Sequence, residues 1–87
     1  MLPIRSKKAE AMEQGIKADR RIGDNIRSLR NDRGMTQERL AARLQVNGCD
    51  MTRGTVAKIE AGIRHVSLDE LKCIREILNC GFDDLLK

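Results

Sequence analysis

Two long hydrogen-bond donors, Arg53 and Lys58, stand five residues apart in the stretch "TRGTVAKIEAG", residues 52–62. Around them lie Gly54, Ala57 and the short hydroxyl of Thr55. At helical spacing Val56 and Ile59 fall three apart and turn inward. That leaves Arg53, Gly54, Thr55 and Lys58 to face outward. An arginine offers two parallel N–H groups to a guanine edge, and a lysine reaches a base or a phosphate. Small neighbours let such a helix sit deep in a groove. The chemistry on offer is therefore recognition by donors. No convergent acid–base set, phosphate loop or metal motif stands beside it, so the chain reads as a binder and not an enzyme, with no cofactor.

Such a helix needs others to hold it. Ile22, Ile26 and Leu29 recur at i, i+4 and i+7, which predicts a first helix with Arg21, Arg27 and Arg30 turned mostly outward. Gly34 supplies a left-handed stop. Thr36 is the next N-cap, and Leu40, Ala41 and Leu44 form the inward stripe of a second helix. Arg39 stands where a capping glutamate would complete a reciprocal box. Thr52 caps the donor-bearing helix, expected over residues 53–61 and stopped by Gly62. Ser67 with Glu70 is a capping box, opening a fourth helix that carries Leu68, Leu71, Ile74, Ile77 and Leu78. Gly81 is expected to close it, and "FDDLL" to form a fifth short turn. No alternating strand pattern occurs. The expected class is all-α: a compact bundle of five short helices.

Composition sets limits on this bundle. Eighty-seven residues make one domain with a compact core. Phe82 is the sole aromatic residue, so aliphatic side chains build that core and no platform exists for stacking single-stranded bases. Residues 1–36 hold nine Lys or Arg against five Asp or Glu, whereas residues 37–87 hold eight of each. The net +4 thus sits in the first 36 residues. Residues 1–19 read as a basic arm, mobile or marginally helical, that meets a phosphate or a protein partner; residues 20–87 read as the domain. Cys49, Cys73 and Cys80 have neither paired spacing nor even number, which points to free thiols and no metal site rather than a disulfide framework. With no secretory signal or membrane-length apolar run, the expected setting is the cytoplasm.

The stretches "IRSLRNDRGMTQERLAARL", "TRGTVAKIEAGIR", "SLDELKCIREIL" and "FDDLL", in this order, resemble the Cro/phage-repressor (XRE) helix-turn-helix family, with its lambda-repressor-like fold. The resemblance implies sequence-specific binding of double-stranded DNA by a transcriptional regulator, with the helix at about residues 53–61 in the major groove. It makes Arg53, Gly54, Thr55 and Lys58 base-facing. It makes Gln37, Arg64, His65, Arg33 and Arg30 phosphate-facing, Gln37 also bracing the recognition helix. Glu60 matches an acid that braces the fold, through an arginine of the first helix. A single such module reads few base pairs, so a homodimer on a two-fold related operator is expected, with Phe82, Leu85 and Leu86 either as the contact or only finishing the monomer core. The alternative is a protein-interaction module on the same fold, such as the antitoxin half of a toxin pair.

One stretch departs from the family. "QVNGCDMT" lengthens the connector before the recognition helix by about five residues, and Asn47-Gly48 marks a turn within it. The second helix is expected to end near Gln45 or Val46, and Met51 rather than Val46 to plug the core. Added loop length costs little entropy, so the two helices can keep their packing.

Overall fold

The structure, a computed structural model, describes residues 20–87; the arm at residues 1–19 lies outside them. The first apolar stripe becomes α1, Arg20–Asp32, which buries Ile22, Ile26 and also Gly23. Gly34 follows with φ +68, the left-handed conformation that glycine adopts without steric cost. The chain then reverses into α2, Gln37–Val46, where the Thr36 hydroxyl accepts the Arg39 amide at 3.0 Å. Thr52 caps α3, Arg53–Glu60, in the same way, accepting the Thr55 amide at 3.1 Å. Ser67 and Glu70 form the full reciprocal box at the start of α4, Leu68–Leu78. The last element is α5, Phe82–Leu86. The described residues are all-α, as the pattern predicts.

The core lies where α1, α2, α3 and α4 converge. Ile26, Leu40, Leu44, Val56, Ile59, Leu71, Ile74 and Leu78 are all buried. Burying such a side chain is worth about 1.5–3 kcal/mol each, and this aliphatic set replaces the missing aromatics. Met35 and Val66, in the turns before α2 and α4, are buried beside them. Gly23 marks the tightest crossing: a Cβ there would run into the carbonyl oxygens of Ile59 and Glu60. Only a glycine lets α1 approach the end of α3 so closely.

Some expectations need correction. Leu68, counted in the apolar face of α4, is exposed, because its position next to the cap puts it on the outer side. Gly81 does not close α4. Asn79 does, in the left-handed region at φ +52, while Gly81 at φ −91 starts α5 and gives its amide to the Asp84 carboxylate at 3.0 Å. Asparagine tolerates that conformation better than other non-glycine residues. Leu85 is fully buried in the core of the single chain, and Asn25 on α1 holds the end of α5 by donating to the Leu85 and Lys87 carbonyls at 2.9 and 3.2 Å. Leu85 therefore has no surface to give a second copy.

The long connector is a folded segment and not a free bulge. α2 ends at Val46, and Gly48 turns the chain at φ +89. The Cys49 backbone amide then donates back to the Leu44 carbonyl at 2.8 Å, and the Gln45 side chain donates through Nε2 to the Met51 carbonyl at 2.8 Å. Met51 is 1% exposed and Val46 90% exposed, so Met51 is the plug, as its place before the cap predicts. Asn47 reaches across to the Glu76 carboxylate on α4 at 3.0 Å. The connector thus meets α4 through Asn47, while Arg53, Gly54 and Lys58 on α3 stay exposed.

Candidate nucleic-acid interface

The site is built from the last residue of α3 outward. Glu60 is 1% exposed, and an uncompensated carboxylate there would cost several kcal/mol. Four donor atoms remove that cost. Arg30 Nε and Nη2 reach its two oxygens at 2.7 and 3.0 Å, Gln37 Nε2 donates at 3.0 Å, and Arg27 Nε stands at 3.5 Å. Burial pushes the Glu60 carboxyl up, but the hydrogen bonds from Arg30 and Gln37 and the arginine charges outweigh it. Its pKa falls below the ordinary carboxylate value. One buried anion thus joins α1, α2 and α3 and fixes the pose of α3.

With its inner side so held, α3 offers a defined outer side. Arg53, Gly54 and Lys58 are exposed, and Thr55 is half-buried with its hydroxyl 3.1 Å from that of Thr52. A Cβ on Gly54 would meet only the Thr52 hydroxyl, at an ordinary 3.7 Å. Nothing within the chain demands a glycine at that position. Of the four residues expected to face a base, Arg53, Gly54 and Thr55 stand in the first turn of α3 and Lys58 in its last, with Thr55 the least available.

The expected phosphate contacts divide. Arg30 is corrected outright: it is 8% exposed, and besides Glu60 it donates to the Met35 carbonyl at 2.8 Å and to Asn31 at 3.2 Å. Its spacing looked outward, but the buried carboxylate draws it in. Arg33 is also committed, donating to the Leu78 and Asn79 carbonyls at 2.7 and 3.4 Å, where a cation complements the negative end of α4. Arg64, in the loop after α3, holds both Glu70 oxygens at 3.0 and 3.2 Å and the His65 carbonyl at 2.8 Å, its side chain still 37% exposed. That Arg64 pair, against burial and with the Ser67 amide, holds Glu70 below the usual carboxylate range. His65 is exposed beside it. Gln37 is half-buried and gives one N–H to Glu60, so the bracing half of its expected part is present. Arg39, Arg43 and half-exposed Arg27 extend the basic surface from α2 and α1.

Sequence reasoning missed Asn25 and Asn79, which hold α5 and close α4, and the tie that Asn47 makes to Glu76. Polar side chains of this kind carry no periodic signal, and only Asn47, beside Gly48, stood out as a turn residue. Among the described residues no His, Cys, Asp or Glu cluster is placed to hold a metal ion, and no helix is long and apolar enough to cross a membrane.

Comparison with known proteins adds the following. The helix-turn-helix family model matches residues 26–85. The crystal structure of the restriction-modification controller protein C.AhdI from Aeromonas hydrophila is similar over 75% of this chain and 91% of its own, at 32% identity and a TM-score of 0.65. The controller protein C.Esp1396I, whose structure is that of a tetramer in complex with its natural 35 base-pair operator, is 24% identical. It covers 77% of this chain and 92% of its own, with a TM-score of 0.61, a likeness of fold. Among curated proteins no sequence matches the chain.

Proposed function

The chain belongs to the helix-turn-helix family, in its Cro/phage-repressor (XRE) branch, and on that premise we propose that it regulates transcription by binding a specific sequence in duplex DNA. α3 enters the major groove. Arg53 and Lys58 donate to bases or adjoining phosphates, Gly54 allows close approach, and Thr55 adds a short contact. Gln37, Arg64 and His65 run along the backbone, joined by exposed Arg39; Arg30 and Arg33 serve the fold instead. The observation that carries this reading is the split in α3. Its end is locked to α1 and α2 through Glu60, while Arg53, Gly54 and Lys58 stay open to solvent.

The protein acts as a homodimer, because one α3 reads too few base pairs for useful specificity. Half-buried Phe82 and exposed Leu86 on α5 provide the contact, Leu85 being spent in the core. The setting is the cytoplasm, with the three thiols reduced. Selection of binders from a random duplex library at physiological salt tests the proposal. Enrichment of a two-fold symmetric motif is expected. Salt-sensitive binding with no enriched motif would overturn sequence-specific regulation.

A further inference from the structure

Two glutamines at opposite ends of α2 reach the opposite ends of α3. Gln37, the first residue of α2, donates to Glu60, the last of α3, at 3.0 Å. Gln45, in the last turn of α2, donates through Nε2 to the Met51 carbonyl at 2.8 Å, just before α3 begins at Arg53. Of the bonds from α2 to the connector this one comes nearest to α3; the others end at Asn47, Gly48 and Cys49. The Met51 carbonyl lies in the same rigid peptide plane as the Thr52 amide. Thr52 in turn caps α3: its hydroxyl accepts the Thr55 amide at 3.1 Å, and its carbonyl accepts the Val56 amide at 3.0 Å. The Met51 side chain is buried in the core, but one packed side chain sets a position and not the orientation of the peptide that follows.

We propose that Gln45 is a positioning residue for recognition: by holding the peptide between Met51 and Thr52 it sets the start of α3, and with it the direction of Arg53. A short turn would fix that start by chain length alone. The lengthened connector gives its far end more freedom, and the Gln45 bond restores the restraint from α2. The two donors on α3 differ in how much they need it. An arginine that gives two parallel bonds to a base edge tolerates little error in placement. Lys58 is a point charge on a flexible stem, and it stands beside the Glu60 end, which Gln37 and Arg30 already hold. Gln45 therefore acts through Arg53 and not through Lys58.

The test uses the full chain carrying Gln45→Met, which keeps side-chain length and helix preference but has no N–H to donate. Hydrogen exchange of the free protein reads the positioning by itself. The Thr55 and Val56 amides should exchange about tenfold faster than in the parent chain. The Ala61 amide, bonded to the Ala57 carbonyl at 3.0 Å, should keep the parent rate. The melting temperature should fall by less than about 5 °C, the scale of one partly exposed hydrogen bond. Unchanged rates at Thr55 and Val56, or a rise shared by Ala61, would overturn the proposal. Duplex binding is measured apart, because it rests on the DNA-binding reading. Gln45→Met should weaken it about fivefold and relax the preference at the base pair that Arg53→Ala also relaxes, leaving the contact of Lys58. On an Arg53→Ala background the same change should have no further effect. Additive losses in the double variant would overturn the link to Arg53. An Arg53→Ala chain that binds duplex as tightly as the parent would overturn the DNA-binding reading at that residue, with the exchange result still standing.

Discussion

Arg30 Nε and the Glu60 carboxylate meet at 2.7 Å in the interior, one on α1 and the other at the end of α3. Removing either partner leaves the other buried and unpaired. Glu60→Ala or Arg30→Ala should therefore lower unfolding free energy by about 3–5 kcal/mol, read from urea titration. Arg27→Ala, which removes the longer and half-exposed contact, should cost much less. Equal losses for all three would mean that the buried pair has no special weight.

The same carboxylate makes stability depend on pH. Glu60 and Glu70 are both held below the ordinary carboxylate value in the folded chain. A depressed folded pKa contributes stability that is complete above the unfolded value of about 4.3 and fades as pH falls through the folded value. Thermal melts between pH 7 and 5 should change little, then drop steeply below about pH 4. Glu70→Gln should reduce that acid slope by removing one of the two groups. An unchanged slope would assign the loss to other carboxylates.

Arg53 and Lys58 are exposed, and no packed neighbour depends on them. Arg53→Ala with Lys58→Ala should weaken duplex binding at least roughly tenfold, since each contact to a base is worth about 1–3 kcal/mol. The melting temperature should stay within about 2 °C, the scale of a neutral surface change. Unchanged duplex affinity at moderate salt would remove α3 from the interface.

Gly54 offers a sharper separation. Its φ is ordinary and a Cβ meets only the Thr52 hydroxyl at 3.7 Å, so Gly54→Ala should stabilise the fold by about 0.5–1 kcal/mol. The added methyl stands on the groove-facing side and should weaken duplex binding. A tighter melt with weaker binding assigns the glycine to the ligand. Gly23→Ala is the contrast: it should destabilise severely, because backbone occupies the space of its Cβ.

Leu85 and Leu86 are neighbours with opposite expectations. Leu85→Ala should cost about 2–5 kcal/mol, as a large-to-small change in a packed core. Leu86→Asp should leave the monomer fold intact and shift sedimentation toward the monomer. A dimer unaffected by Leu86→Asp would place the contact elsewhere than α5.

Much of this protein was legible without coordinates because its signals are local. Caps at Thr36, Thr52 and Ser67 depend on a hydroxyl and an amide three residues apart, and the apolar stripes depend on the period of a helix. Those two rules located the five helices, the inward Val56 and Ile59, and the donors Arg53 and Lys58. Motif resemblance added the Glu60 brace. What tertiary structure decided were the fates of side chains whose partners are distant in sequence. Arg30 and Arg33 look like surface cations by spacing, yet a carboxylate 30 residues away and carbonyls 45 and 46 residues away claim them. Leu85 and Leu86 are alike in composition, and only the docking of α5 on α1 buries one of them. The connector shows the same division: its turn was written in Asn47-Gly48, but its tie to α4 through Asn47 arises only when α2 and α4 pack together. A chain can state its own periodicity; it cannot state which distant group will neutralise a charge.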